Sequence, residues 1–288
     1  MMNNQADGLR MRVLKQKIKK ETKVVSIVSG KGGVGKSNFS LNFAIFLAKR
    51  GKRVLIIDMD IGMANIEILM GYSGAFDIVN MFEQQLPIEK VMTKGPLGIQ
   101  LIAGGNGLGE LFKLSEENFL YFLQELERVS FDYDFILFDM GAGLTESSLL
   151  FIQATNEAIV VTTPEPTSIA DAYALMKTVH RHDEKFLFSL VMNRALSEKS
   201  GREVGQRIQQ VALQFLNKEV NFLGVILNDD HVTKAVYDQT PFLISYPKCK
   251  ASVGIEKIGR MYLQEDGIKK EHFFNSFVSQ LKSFFKER

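Results

Sequence analysis

VVSIVSGKGGVGKSNFSLNF, residues 24–43, decides the fold of this chain. Its centre, Gly30 to Ser37, matches the phosphate-binding pattern G-x-x-x-x-G-K-[ST]. A β-branched run precedes the match and a helix-like segment follows it, which is the context that the pattern requires. The loop and the start of such a helix attract phosphate oxygens, because unpaired N–H donors and the helix dipole both favour anions. The segment therefore predicts a nucleotide-phosphate site.

Short apolar runs alternate with helix-like segments along the rest of the chain, which indicates βα units and a mainly parallel sheet. Helices are expected at 38–50, 116–128, 166–181 and 202–216. The predicted fold class is α/β, a single domain with a doubly wound central sheet. The predicted strands are apolar almost throughout, as expected where helices cover both faces: KVVSIVS (23–29), RVLIID (53–58), IQLIAG (99–104), YDFILFD (133–139), EAIVVTT (157–163), FLFSLVMN (186–193) and FLGVILN (222–228).

The composition narrows the class of protein. A chain of 288 residues that is 45% hydrophobic can bury a sizeable core, and its formal charge of +2 gives no general case for nucleic-acid binding. Cys249 is the sole cysteine, which excludes an intramolecular disulfide, a C-x-x-C pair and a zinc site built from cysteines. No apolar run reaches the ~18 residues of a membrane span, and no signal peptide is recognisable. A cytoplasmic protein is expected.

The loop contains one lysine more than the phosphate-binding pattern uses. Lys36 occupies the position of the lysine that reaches the β- and γ-phosphates, and Ser37 the position that holds Mg²⁺. Lys31 has two chemically reasonable roles: a solvated surface ammonium, or a positive charge added where negative charge develops during phosphoryl transfer. The nucleotide contacts expected at the loop are Gly30, Gly32, Gly33, Val34, Gly35, Lys36, Ser37 and Asn38.

The run KGGVGKS, residues 31–37, resembles the deviant Walker A motif of the MinD/ParA superfamily. In that superfamily the first lysine reaches the nucleotide of the partner subunit in a sandwich dimer. The resemblance implies a P-loop ATPase that binds ATP or ADP with Mg²⁺ and forms a homodimer with ATP. It also implies that Lys31 acts in trans, in a role comparable with that of an arginine finger.

Two further segments agree with this resemblance. VLIIDMDIGMANIEILMG, residues 54–71, puts Asp58 and Asp60 at the carboxyl end of a strand, where open α/β sheets bind ligands. It resembles switch I of MinD, which implies that Asp60 orients the attacking water and that Asp58 lies near the phosphates or the metal. In FILFDMGAG, residues 135–143, Asp139 is expected to hold Mg²⁺ through water and Gly141 to leave room for the γ-phosphate in switch II. A lone aspartate at a strand end more often caps a helix, but the phosphate loop favours the metal role.

LVMNRAL, residues 190–196, matches the Asn-Arg position that contacts adenine in this superfamily. The resemblance implies adenine contacts from Asn193 and Arg194, because an asparagine amide offers the adjacent donor and acceptor that the adenine edge requires. The alternative for Asn193 is an ordinary turn asparagine.

The C-terminal segment 273–285 has a two-sided helical pattern. The apolar face of such a helix either packs on the protein's own core, which the helical-wheel pattern alone favours, or lies in a membrane interface. MinD-like proteins carry a C-terminal amphipathic membrane-targeting helix, so the resemblance implies binding to anionic lipid. In the monomer or ADP state the aromatic face is expected to fold back on the protein, because leaving it in water would invite aggregation. The apolar side chains fall within an arc of roughly 140°: Phe273, Phe274, Phe277, Val278, Leu281, Phe284 and Phe285.

NNQADGLRMRV, residues 3–13, resembles the Asp-Gln-Ala-x-x-Leu-Arg motif of the FlhG (YlxH) family, MinD relatives that regulate flagellar number and placement. Gln5, Ala6, Leu9 and Arg10 match, whereas Asn4 stands where the family usually has aspartate. In the family this segment stimulates the GTPase FlhF, which implies that Gln5 is presented to the FlhF nucleotide site. C-ring proteins of the FliM/FliN type are implied as further partners. The alternative is a disordered polar start.

The expected organisation is a partner-activating tail at 1–22, a MinD-like ATPase domain at 23–268 and a membrane-targeting helix at 269–288. The expected function is an ATPase switch that dimerises with ATP, associates with the inner face of the membrane and regulates flagella with FlhF. The alternatives are a ParA-type DNA-partitioning ATPase, a septum-site MinD and a ligase of related fold similar to dethiobiotin synthetase. An iron protein is disfavoured because its chains each supply two cluster cysteines.

Overall fold

The predicted apolar runs all form strands of one sheet. The computed structural model describes residues 22–61, 65–72, 74–105, 116–265 and 273–286. One short strand, β3, was not predicted, because three residues are too few for an alternating or apolar pattern to stand out. The strands are β1 (Lys23–Val28), β2 (Val54–Met59), β3 (Met92–Lys94), β4 (Gln100–Ile102), β5 (Phe135–Met140), β6 (Glu157–Thr162), β7 (Leu187–Ala195) and β8 (Asn221–Leu227).

The strand order in the described part of the chain is β3-β4-β2-β5-β1-β6-β7-β8. All neighbouring strands are parallel except β3 and β4, which pair antiparallel at one edge. The predicted doubly wound, mainly parallel sheet is therefore confirmed. Because β1 lies between β5 and β6 and β5 also pairs with β2, the carboxyl ends of β1, β2 and β5 meet at one point of the sheet edge.

The predicted helices are present, and each begins and ends within four residues of the expected position. The largest difference is at α8, which begins at Glu198 rather than 202 because Ser197 caps it by accepting a hydrogen bond from the Ser200 backbone N–H at 3.1 Å. The helices are α1 (Lys36–Lys49), α2 (Asn65–Met70), α3 (Ile78–Gln84), α4 (Ile88–Val91), α5 (Glu116–Ser130), α6 (Glu146–Ala154), α7 (Pro166–His182), α8 (Glu198–Leu216), α9 (Asp230–Tyr237), α10 (Phe242–Ser245), α11 (Lys250–Glu265) and α12 (Phe273–Lys286).

Each face of the sheet has its own hydrophobic core. In β1, Val24 and Val28 enter one core while Val25 and Ile27 enter the other, as the period of two of a strand requires. Helices α1 and α11 cover the second core, and α5, α6, α7, α8 and α12 cover the first. Helix cover on both faces explains why the strands read as apolar almost throughout.

Helix α12 packs its apolar face on the first core. Phe274, Phe277, Val278 and Leu281 are buried, and Phe277 stacks on Phe138 of β5 with ring centroids 5.5 Å apart. The helix contacts α5, α6 and β1. The predicted two-sided helix is thus confirmed, with its apolar face folded on the protein as expected for a single subunit. The side chains of Phe273, Phe284 and Phe285 lie outside the described residues.

The predicted N-terminal motif at Gln5, Ala6, Leu9 and Arg10 also lies outside the described residues, as does the expected boundary between 268 and 269. Within the part of the chain that the structure describes, no helix is both long enough and apolar enough to cross a bilayer.

Candidate functional site

The glycine-rich loop joins the carboxyl end of β1 to the first turn of α1. Gly30 passes so close to α7 that a Cβ at this position would lie 2.2 Å from the Asp171 carbonyl carbon, so only glycine fits. Gly35 has φ of 89°, in the left-handed region, and α1 begins at the next residue, Lys36. No side chain of the described residues caps the start of α1, which leaves its first backbone N–H groups available to an anion. The phosphate contacts themselves stay a prediction.

Lys36 is buried and pairs with Asp139. Its Nζ lies 2.9 Å from Asp139 Oδ1, and the side chains are 6% and 0% exposed. Ser40 Oγ donates to the same Asp139 oxygen at 2.7 Å. Ser40 was not predicted as a site residue, although its position one helical turn after Lys36 places both on the same face of α1. Lys36 Nζ also lies 3.5 Å from Ser37 Oγ, so Lys36, Ser37 and Asp139 are adjacent.

Asp58 faces Asp139 across the β2–β5 pair in register. Its carboxylate accepts hydrogen bonds from the backbone N–H of Asp60 at 3.0 Å and of Ile66 at 3.4 Å. Burial raises the pKa of Asp58 to about 8, and the negative charge of Asp139 acts in the same direction. Asp58 therefore holds the backbone at Asp60 and at Ile66, and it lies opposite Asp139, one of the two residues expected to hold the metal.

Asp60 lies next to Gly141, the residue that follows β5. A Cβ on Gly141 would lie 3.5 Å from Asp60 Oδ1, and Asn65 donates to Asp60 Oδ2 at 3.0 Å. Burial raises the pKa of Asp60, while the charge of Lys36 opposes that shift. Asp60 and Gly141, for which the sequence predicted separate roles, are thus neighbours in space. Asn65 is an orienting partner of Asp60 that sequence reasoning did not name.

Lys31 points to the start of α7 rather than into solvent. Its Nζ donates to Glu165 Oε2 at 2.9 Å and to Thr167 Oγ1 at 3.1 Å. The pKa of Glu165 is lowered mainly by its hydrogen bond with Lys31. Both side chains of the pair remain accessible, at 35% for Lys31 and 62% for Glu165. The ammonium is thus held by groups of the same chain at the protein surface.

Asn193 packs against the phosphate loop. Its amide Nδ2 donates to the Val34 carbonyl oxygen at 2.7 Å, and its Oδ1 accepts from the Arg194 backbone N–H at 2.9 Å. Arg194 has φ of 56°, and its Nε lies 4.0 Å from a Cβ built on Gly35. Both residues therefore border the loop, and Asn193 braces it. The adenine contacts stay a prediction.

The residues at this edge fit a magnesium nucleotide. Asp58, Asp60 and Asp139 bring three carboxyl groups to one buried positive charge, Lys36. Asp139 Oδ2 is buried without a hydrogen-bond partner among the residues that the structure describes. A buried carboxylate oxygen is costly unless satisfied, and a hydrated cation with phosphates on the loop amides satisfies it. Ser37 and Asp139 would hold the metal.

Comparisons with known proteins agree with this geometry. The ParA family model, described as NUBPL iron-transfer P-loop NTPase, matches residues 20–262. The antiactivator FleN of Pseudomonas aeruginosa is 32% identical over 237 residues, which cover 82% of this chain and 85% of FleN. The flagellum site-determining protein YlxH of Helicobacter pylori is 33% identical over 298 residues, 97% of this chain and 100% of YlxH.

Solved structures of similar fold include division proteins. The MinC:MinD cell division protein complex of Aquifex aeolicus matches with a TM-score of 0.69 at 25% identity, over 88% of this chain and 99% of that chain. The septum site-determining protein MinD complexed with Mg-ADP from Pyrococcus horikoshii OT3 matches with a TM-score of 0.67 at 22% identity, over 87% and 99% of the two chains.

Proposed function

The chain belongs to the ParA/MinD family of P-loop NTPases and is an ATPase, and we propose that it is a nucleotide-dependent switch that regulates flagellar number or placement. In this proposal the protein forms a homodimer with ATP, exposes α12 to an anionic membrane, and acts on the GTPase FlhF through residues 1–22. The similarity to FleN, an antiactivator, supports a regulatory role, and the similarity to YlxH, a flagellum site-determining protein, supports a flagellar one.

The observation that carries the proposal is the contact between α12 and the second switch segment. Phe138 and Asp139 are consecutive in β5, so their side chains point to opposite sides. Phe138 stacks on Phe277 of α12, whereas Asp139 holds Lys36 of the phosphate loop. Helix α6, which α12 also contacts, follows switch II directly. A nucleotide-driven shift of this segment would therefore move the residues on which α12 packs.

The roles proposed for the site residues follow from their positions. Bound Mg²⁺ would neutralise phosphate charge during the transfer. Lys36 and the loop amides would bind the β- and γ-phosphates, and Asp139 would hold the metal shell. Asp60, oriented by Asn65, would position the attacking water next to Gly141.

Lys31 would exchange partners on dimerisation. In the single subunit it is neutralised by Glu165 and hydrogen bonded to Thr167. In the proposed dimer it reaches the phosphates of the other subunit, which replaces one anionic partner with a more strongly charged one. Because the Lys31–Glu165 pair is exposed, breaking it costs little free energy, since exposed ion pairs contribute little to stability.

Membrane binding would use the face of α12 that is now buried. Lys282 borders that face, and in the docked position its Nζ lies 3.8 Å from Glu127 Oε2 of α5. Docking therefore occupies both the apolar face and a lysine suited to lipid headgroups. One such helix gives marginal, reversible binding. Two helices in a dimer gain avidity of roughly 10²-fold or more, because the second binds at a raised effective concentration.

Liposome co-sedimentation with ATP and with ADP tests the membrane switch. The intact protein is expected to bind anionic vesicles with ATP, and a variant that lacks residues 270–288 is expected to lose binding while keeping ATP-dependent dimerisation. Phe277→Glu should behave like the deletion. Equal binding of the intact protein with ATP and ADP, or binding by the truncated protein, would contradict the switch. A DNA-binding assay in parallel tests the ParA-type alternative.

The role of the N-terminal segment is tested separately. A peptide of residues 1–22 is expected to accelerate GTP hydrolysis by FlhF from the same organism, and Gln5→Ala is expected to reduce that effect. An inert peptide would mean that Asn4, which replaces the usual aspartate, marks a lost activity.

A further inference from the structure

A groove of about 1460 Å³ lies at the amino ends of the strands, on the sheet edge opposite the nucleotide site. It runs between the starts of β1, β6, β7 and β8, the end of α7, one side of α8, and α12. Its rim includes two leucines that are unusually exposed, Leu187 at 60% and Leu213 at 51%. This volume exceeds the ~300–1,000 Å³ of sites for small ligands, which favours a peptide segment as the occupant.

The lining suits a polypeptide with many hydrogen-bond donors. Seven of its lining residues carry carboxamides, side chains that can both donate and accept hydrogen bonds. Some of these groups already bond within the fold: Gln209 Nε2 donates to the Val220 carbonyl oxygen at 2.7 Å, and Asn156 Oδ1 accepts from the Val24 backbone N–H at 2.8 Å. Lys23 and Glu157, which also line the groove, pair with each other at 2.9 Å between Nζ and Oε1, so the remaining charges of Asp183 and Glu219 against Lys185 leave a net negative charge. The carboxamides are those of Gln153, Asn156, Gln206, Gln209, Gln210, Asn221 and Gln280.

The chain's own N-terminal segment, residues 1–21, connects to the described fold beside this groove. Thr22 is 2% exposed, and its Oγ1 donates to the carbonyl oxygens of Ser130 at 2.7 Å and Tyr133 at 2.9 Å, which fixes the point where the segment leaves the fold. The next residue, Lys23, lines the groove. Any part of residues 1–21 is therefore tethered beside it, at an effective concentration on the order of millimolar.

The sequence of the segment matches the lining in chemistry. Met11, Leu14 and Ile18 are spaced at i, i+3 and i+7, which puts them on one side of a helical wheel. Most of the positions between and around them are basic, which supplies donors and positive charge: Arg10, Arg12, Lys15, Lys17, Lys19 and Lys20.

We propose that residues 10–21 dock in this groove, with the Met11, Leu14 and Ile18 side against Leu187 and Leu213. Docking covers the exposed leucines and brings the basic side chains of the segment beside the acidic groups of the groove. The proposal depends neither on FlhF nor on lipid, so it goes beyond the proposed function and can fail separately from it.

Docking of the segment also supports α12. Ser276 and Gln280, on the polar side of α12, form one wall of the groove, while the opposite face of the helix is seated on the core. A segment bound there contacts α12 from the side that the core leaves uncovered. Withdrawal of the segment by a partner therefore loosens α12, which couples the two ends of the chain.

Intramolecular disulfide trapping in the full chain tests the contact. Cys249→Ser removes the native thiol, and Leu14→Cys with Leu213→Cys places one thiol on the segment and one on the groove. Mild oxidation is expected to cross-link most of the monomer, because the Cα atoms come within disulfide reach of about 7 Å. The matched control pairs Leu14→Cys with Leu196→Cys, a leucine that is 90% exposed at the opposite edge of the sheet. Little cross-linking in the first pair, or equal cross-linking in both, would overturn the proposal.

Hydrogen exchange in the full chain supplies a second readout. Leu14→Glu with Ile18→Glu should lower amide protection in 206–213 and in 276–280 by tenfold or more. Val13→Glu with Gln16→Glu changes the charge equally on the other side of the wheel and should leave protection unchanged. A small molecule or a different protein as the true occupant would leave both double variants like the unmodified protein, which contradicts docking of this segment.

Discussion

Phe277→Ala distinguishes the two states proposed for α12, because the substitution removes more stabilising free energy from the docked helix than from the membrane-bound helix. Phe277 is fully buried and stacks on Phe138 and against Phe274 at centroid distances of 5.5 and 5.8 Å. Truncation in a close-packed core removes the transfer free energy and leaves a cavity, at a cost of about 3–5 kcal/mol. In a fluid membrane interface no cavity persists, so the loss is only the transfer term of about 1.5–3 kcal/mol.

The docked state should therefore weaken by roughly 1–2 kcal/mol more than the membrane-bound state, a factor of about 5–30. The variant is expected to bind anionic liposomes more strongly than the unmodified protein in the absence of ATP, whereas Phe277→Glu loses binding in every state. Hydrogen exchange measures the packing step independently: α12 amides should exchange at least about a hundredfold faster, since each 1.4 kcal/mol corresponds to tenfold. Ser279→Ala, on the exposed face of the same helix, is the matched control. Unchanged protection of α12 in Phe277→Ala would refute the packing argument, and unchanged liposome binding despite faster exchange would refute the membrane step.

Four further predictions concern the nucleotide site. Lys31→Ala should keep ATP affinity while losing dimerisation and turnover, whereas Lys36→Ala should lose affinity itself; equal loss of affinity by calorimetry would argue against a role of Lys31 in trans. Asp60→Ala should bind ATP and remain dimeric because hydrolysis is slowed, and near-normal phosphate release would show that it does not position water. Glu165→Gln should raise the ATP-dependent dimer fraction measured by mass in solution, because it removes the cis partner that competes for Lys31; an unchanged fraction would mean that this pair does not restrain dimerisation. The pKa of Asp58 is about 8 in the folded protein against an ordinary value of 3.8, so the carboxyl takes up a proton on folding and the stability of the ligand-free protein falls as the pH rises from about 4 to 8. Between pH 5 and 8, Asp58→Asn should therefore lose less stability in urea denaturation than the unmodified protein. Parallel losses in the two proteins would contradict this sign.

The sequence by itself determined the fold class and the phosphate loop, because both depend on local patterns. The strand β1, the glycine turn and α1 are contiguous, so their residue types describe one continuous piece of structure from Val24 to Phe43. The apolar strands predicted a sheet covered on both faces, and the sheet has helices on both faces. The two-sided pattern of α12 was also visible, since helical period and side-chain polarity are properties of a short segment.

Only the tertiary structure decided which distant groups meet. The Asp58 and Asp139 register depends on β2 and β5 being neighbours, and chain order does not show that β1, β5 and β2 share an edge. The partners of Lys31 are 134 and 136 residues away in sequence, and Ser40 gains its role only because Asp139 lies opposite. The packing position of α12 is the clearest case. A helix face of Phe, Val and Leu suits a lipid surface and a protein core equally, because burial of the same apolar area is favourable in both. Only the packing of Phe277 on Phe138 shows that this face lies on the core in the folded chain.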